Sequence, residues 1–294
     1  RRFEVGPGMI DFCLRTLDNR VNLVEDAQAA RVLDQLMDVA MEQELPDGQA
    51  VPDGLQHRVR LAVLDHRLCE RIGLHLKAIR EQGQGGAGLL RNWSLTDGPG
   101  APYMEFVGLM KRLLSLPLPD KALTLDMVRR FGDVEVPAVL VWVLSDLAER
   151  LSESDEAHHL TETTLAERTI LDVLEMLMDQ RDLHPDGKKV ISGKHIRQFA
   201  DAGGIPVMIE ACLGDMAFAE DHQWREGTLR QTLTILWMAA QTSATNRNRI
   251  MSSSNASQSH IKRMWPTPDL VENDVKPYTP TEVPRVLYLL TTPV

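Results

Sequence analysis

Aromatic residues are scarce in this chain: Phe, Trp and Tyr together make up 5% of its 294 residues. Strand-rich domains draw on aromatic and β-branched side chains, so this scarcity, beside an abundance of Leu, Met and Ala, turns composition toward helix. Cysteine is scarcer still, with Cys13, Cys69 and Cys212 set far apart among apolar residues. Such spacing excludes a disulfide framework and a close-spaced thiolate metal site, and predicts buried free thiols in a reducing compartment. No apolar run is long enough to span a bilayer, and the start carries no signal-peptide pattern. Positive charge is in deficit as well, 32 Lys and Arg standing against 42 Asp and Glu for a net −10. Backbone phosphates demand a basic face, so the charge excludes a general nucleic-acid binder. One local basic patch is present, formed by Lys188, Lys189, Lys194 and Arg197. The expected compartment is the cytoplasm, with the nucleus as the other option.

The motifs of catalysis are missing too. No Gly-x-Gly-x-x-Gly opens a helix after a strand, no P-loop lysine follows a glycine loop, and no Gly-x-Ser-x-Gly elbow occurs. The stretch 82–88 is glycine-rich, but no strand precedes it. Asp182–Ser192 resembles a degenerate calcium loop; calcium there needs oxygen ligands ending in a bidentate glutamate, and Gly193 occupies that place while Lys188 and Lys189 crowd the loop. A plain turn at Pro185-Asp186-Gly187 is the simpler reading. His158 and His159 are adjacent, so on a helix they point apart and cannot chelate together. Asn92-Trp93-Ser94 and Asn255-Ala256-Ser257 match the glycosylation acceptor pattern at the level chance allows. The expectation is a non-enzyme with no cofactor, no metal and no small-molecule substrate.

What is present is helical periodicity through most of the sequence. Apolar residues recur at helical spacing over 7–17, 26–43, 55–82, 102–116, 122–130, 137–151, 162–181, 192–201, 205–214 and 226–244. In the long 55–82 stretch Gly73 reads as a weak point, and Thr163 to Glu167 reads as a capping pattern opening the helix that follows. Pro46-Asp47-Gly48 and Pro52-Asp53-Gly54 make a double turn. The run 83–100, with Gly and Pro at both ends, divides a helical segment 1–82 from a second at 101–251. Residues 252–294 read as a Ser- and Pro-rich irregular tail with a short helix at 281–290. The opening Arg1-Arg2-Phe3 and the ending Thr291-Thr292-Pro293-Val294 suggest an excerpt of a longer protein, or a processed chain.

Three places share one layout of turn, short apolar helix, polar loop and longer helix. They pair Gly8-Met9-Ile10 with Leu33, Leu36 and Val39, Val136-Pro137 with Leu171, Leu174 and Leu177, and Gly203-Gly204-Ile205-Pro206 with Leu233, Leu236 and Ala239. A helix pair cannot bury its own apolar face, so neighbouring pairs stack and share a core. The third unit resembles an armadillo repeat. Ala202 to Ile209 looks like the turn and second helix of such a repeat; Thr232 to Ala240 and Asn246-Arg247-Asn248-Arg249-Ile250 look like its third helix and exit. The resemblance implies an all-α, irregular armadillo-like α-solenoid of stacked helix pairs, whose third helices line a concave binding face. The alternative is an ordinary helical bundle with a Gly-Gly-Ile-Pro turn.

One departure bears on function. Armadillo proteins that bind peptides carry an asparagine on the third helix, and the corresponding positions here are Asp38, Met176 and Met238. Without that ladder, binding of an extended peptide gives way to packing against a folded partner or a neighbouring subunit. The expected role is a non-catalytic interaction scaffold or adaptor whose partner is another protein or a complex. Residues singled out for contact are Trp224 and Trp265, each at a helix end or in a polar loop, with Met238 and Asp38. Two rivals stand beside this role. One is the helical scaffold of a ubiquitin-ligase-type enzyme whose catalytic domain lies elsewhere; the other is a structural subunit of a cytoskeletal or ciliary assembly.

Overall fold

Proline, acidic side chains and left-handed corners set where the helices begin. The computed structural model describes residues 7–19, 23–41, 54–64, 66–85, 102–116, 121–153, 157–180, 183, 190–212 and 222–250. Among these, the helices are α1 (Pro7–Asn19), α2 (Leu23–Met41), α3 (Leu55–Leu64), α4 (His66–Gly85), α5 (Pro102–Ser115), α6 (Lys121–Asp133), α7 (Val136–Glu153), α8 (Ala157–Met178), α9 (Gly193–Asp201), α10 (Gly204–Val207) and α11 (His222–Thr242). A π-helical turn, Met208–Cys212, continues α10, and the backbone is helical again over 244–250. The described residues hold no strand, only one antiparallel bridge between Asp179 and Ile191. No helix among them is long and apolar enough to cross a membrane.

Pro7 and Pro102 occupy first helical positions, where the missing N–H costs nothing. Glu25 and Asp26 sit in the first turn of α2, where the helix dipole favours carboxylates. Ser192 caps α9 by accepting the His195 N–H. Two corners use a residue in the left-handed region, Gly203 with φ 86° before α10 and Glu135 with φ 60° before α7.

The helices meet in a regular order. α2 packs on α5, α5 on α8 and α8 on α11, while α1 packs on α4, α4 on α7 and α7 on α10. The short helices fill the corners; α6, for example, touches α4, α5, α7 and α8. One continuous core runs from Ile10 of α1 to Ile250. Leu33, Leu171, Leu174 and Leu177 are fully buried, with Leu233 and Leu236 nearly so, whereas Val39 is half-buried. Each such leucine contributes on the order of 1.5–3 kcal/mol as an upper estimate.

Several boundaries differ from the sequence reading. The stretch 55–82 holds two helices, α3 and α4, rather than one; the apolar spacing of Leu61, Leu64 and Leu68 runs unbroken across their junction and so gives no sign of it. Gly73 is no weak point: it is buried in α4, and a Cβ there would run into the Val134 side chain. The capping pattern at Thr163 lies inside α8, which begins at Ala157 and also carries His158 and His159. The turn at Pro185-Asp186-Gly187 lies outside the described residues, but its flanks are tied by Gln180 N–H to Val190 O and Ser192 N–H to Met178 O. Of 83–100 only 83–85 are described, as the end of α4, and the tail 252–294 with its short helix lies outside. Helices on both sides of that stretch share the same core.

Candidate functional site

The polar side chains along α2, α5, α8 and α11 join into one seam. Asp34 and Asp38 lie one turn apart on α2, so they share a face. A single guanidinium, Arg112 of α5, reaches both, with Nε 3.0 Å from Asp34 Oδ1 and Nη1 2.7 Å from Asp38 Oδ1. The neighbouring Lys111 leaves the helix about 100° away, and its Nζ lies 2.5 Å from Asp172 Oδ2 on α8. The other oxygen of Asp172 accepts from Gln231 Nε2 of α11. The chain of contacts therefore crosses all four helices.

Asp38 is exposed, Asp34, Lys111, Arg112 and Asp172 are half-exposed and Gln231 is buried; ion pairs open to solvent contribute about 0–1 kcal/mol each. The seam therefore adds little to stability compared with the leucines beneath it. It does fix the position of charge on a surface, which is what recognition requires. Burial pushes the Glu105 carboxyl of α5 above its ordinary range; Arg31 opposes that shift and Asp34 adds to it. At the far end of α5, Ser115 Oγ donates to Lys111 O at 2.7 Å and lies 4.0 Å from Met176 Sδ of α8.

Of the residues singled out from sequence, Asp38 belongs to this seam, exposed and paired with Arg112. Met238 does not: it is fully buried in the core and offers no surface to a partner. Trp224 falls on α11, where its side chain is outside the described residues, and Trp265 is outside them altogether. Met176 is half-buried at the edge of the seam. The residues that sequence reasoning passed over are Asp34, Lys111, Arg112, Asp172 and Gln231. One signal was available, the pair of cations Lys111-Arg112 in a largely apolar helix, but nothing local shows that their partners lie 61 and 78 residues away.

Two buried histidines are the other chemistry-bearing groups. His75 Nε2 lies 2.9 Å from Leu17 O, Nδ1 is 3.6 Å from Asp26 Oδ2, and the ring stacks on Phe106 at 4.9 Å. The ring thereby ties α4 to α1, α2 and α5 inside the core. His195 Nε2 lies 3.0 Å from Val128 O, so that nitrogen carries the proton, and Nδ1 accepts from Ser192 Oγ. A serine hydroxyl held by an imidazole is the start of a nucleophile pair. Here the same hydroxyl caps α9, both residues are buried, and a backbone carbonyl rather than a carboxylate orients the ring. Desolvation lowers the His195 pKa, the Val128 carbonyl and Asp133 oppose this, and Lys194 adds to it. The pair ties α9 to α6.

Cys13 and Cys69 are buried free thiols, and burial pushes the Cys13 thiol up to about 11. Among the described residues no group of three or more His, Cys, Asp or Glu is arranged to hold a metal ion. Comparison with protein-family models, with curated proteins and with solved structures finds no match.

Proposed function

We propose that the chain is a non-catalytic scaffold, an irregular armadillo-like solenoid that binds another protein on the surface made by α2, α5, α8 and α11. The observation that carries this reading is the seam Asp34/Asp38–Arg112, Lys111–Asp172–Gln231, which runs across four helices packed in succession. Support for the solenoid comes from the order of contacts, in which each helix of that row meets the one three further along, as do α1, α4, α7 and α10. A three-helix period of this kind resembles the armadillo repeat, with α3, α6 and α9 as its short first helices. It adds a fourth unit, α3–α5, to the three read from sequence.

The partner is a folded protein or a subunit of a larger complex, because the surface offers fixed charges rather than a ladder of amides for an extended backbone. Proteins captured by the full chain at physiological salt, quantified against the Arg112→Glu and Asp172→Lys variants, test the reading. Partners lost in both variants and retained with Arg129→Glu, an exposed α6 control, support it. Capture insensitive to both seam variants overturns it.

A further inference from the structure

Two kinds of contact hold α9 in place. Its buried Ile196, Phe199 and Ala200 belong to the shared core, where the helix packs on α7, α8, α10 and α11. Toward α6 it extends polar side chains instead. His195 Nε2 lies 3.0 Å from Val128 O, Gln198 Nε2 donates to Gly132 O at 2.7 Å, and Lys194 Nζ pairs with Asp133 Oδ1. Gly132 makes room for the ring, since a Cβ there would lie 2.6 Å from His195 Nε2. The Lys194–Asp133 pair is open to solvent and adds little, so the imidazole and the Gln198 amide carry this contact.

The contact needs a neutral ring. His195 is 1% exposed; its Nε2–H donates to Val128 O, and Nδ1 accepts from the Ser192 hydroxyl, which itself accepts the His195 N–H as the cap of α9. A second proton, placed on Nδ1, would turn that hydroxyl from donor to acceptor and strip its hydrogen of the acceptor it now has. It would also put a cation in a buried place. The charges that bear on the ring are Lys194, which opposes a second proton, and Asp133, which favours one. Among the described residues none from α7, α8, α10 or α11 joins them. Desolvation outweighs the Val128 carbonyl and Asp133, and holds the closed ring below its ordinary 6.5. A ring released into water regains that ordinary value of about 6.5. The open form therefore takes up a proton that the closed form refuses, so the contact is whole above that pH and weakens as pH falls.

We propose that the α6–α9 contact is a proton-operated latch, in which uptake of one proton by His195 releases α9 from α6 under mildly acidic conditions and neutral pH closes it again. The opening is local, because Ile196, Phe199 and Ala200 keep their packing on the other neighbours of α9. Through the Gly203 corner α9 leads into α10 and α11, so release loosens the attachment of that end of the helical row. The latch shares no residue with the α2–α11 seam and stands or falls separately from the scaffold reading.

Amide hydrogen exchange of the full chain tests it, read by NMR between about pH 7.5 and 5 and corrected for the intrinsic pH dependence of exchange. Uptake of one proton makes opening about tenfold easier per pH unit below about 6.5. Protection at 196–202 should fall in that proportion until the closed form protonates too, while amides of α2 and α5 keep theirs. In His195→Gln, whose side-chain amide can still donate to Val128 O, protection at 196–202 should not change with pH. Lys194→Gln removes the opposing charge and should make the fall smaller; Asp133→Asn removes the favouring charge and should make it larger. Both residues are exposed, so these two variants carry the test even where His195→Gln fails to fold. The proposal is overturned by protection at 196–202 that ignores pH, by a fall that persists in His195→Gln or is unmoved by both charge variants, or by one that α2 and α5 share equally.

Discussion

The corner at Gly203-Gly204 makes a quantitative claim, because its two glycines are needed for different reasons. Gly203 has φ 86°, yet a Cβ there would meet nothing within 4 Å. Gly203→Ala therefore costs only the left-handed strain of about 1–2 kcal/mol, and the stiffer unfolded chain returns about 0.4–1 of that. Gly204 is buried at the start of α10, and a Cβ would overlap the Phe199 ring, lying 2.6 Å from Cζ. That ring is fully buried, so it cannot swing into solvent. Overpacking of this kind costs about 3 kcal/mol, and the better helix propensity of alanine returns up to about 1. The net expectation is about 2 kcal/mol for Gly204→Ala against about 1 or less for Gly203→Ala.

A double-mutant cycle separates the steric claim from general disruption. Phe199→Leu removes the ring edge that the new methyl meets, so Gly204→Ala in that background should cost about 1 kcal/mol less than in the wild type. Urea denaturation followed by far-UV circular dichroism reads all four proteins. Strict additivity of the two substitutions, or a Gly203→Ala penalty larger than that of Gly204→Ala, would refute the reasoning.

Four further outcomes are expected. His195 has a folded pKa below its ordinary 6.5, so the unfolded chain binds the proton first; its stability contribution is whole above that pH and is lost as pH falls. The loss of stability from neutral to mildly acidic pH in denaturant titrations should be shallower in His195→Gln. Glu135→Gly should be neutral or stabilising by up to about 1 kcal/mol, because glycine relieves the left-handed strain at φ 60° and only an exposed 3.8 Å contact with Lys77 is lost; a melting temperature lowered by several degrees would count against this. Cys13, held protonated by burial, should resist alkylation at neutral pH until denaturant is added, as peptide mass mapping would show. Arg112→Met should change stability by no more than about 1 kcal/mol in the same urea assay, since its pairs are part-exposed.

Much of the helical content was legible because period and punctuation agree. Leu171, Leu174 and Leu177 read as a buried stripe and are one, and Gly203 before a Gly-Ile-Pro start read as a corner and is one. What stayed hidden has physical causes. The α3–α4 junction interrupts the helix without interrupting the apolar spacing, so periodicity alone runs the two helices together. Gly73 and Gly132 look like flaws in helices until the chain folds back: Val134 then packs on one, and His195 Nε2 lies 2.6 Å from where the other's Cβ would be. The seam was illegible for the same reason, since Arg112 and Asp34 are ordinary surface residues until packing brings α5 onto α2. Met238 matches the binding position that the armadillo resemblance implies, yet it lies on the face of α11 that enters the core.

The central claim is that α2, α5, α8 and α11 stand in a row rather than closing into a bundle. Spin labels at exposed Asp38 near the end of α2 and exposed Gln241 near the end of α11 measure this directly by double electron–electron resonance. Packed helices lie about 8–10 Å apart, so three steps along the row should place the labels roughly 25–30 Å from each other. A dominant separation near the roughly 10 Å of a single helix step would mean that the first and last helices touch, and would contradict the solenoid.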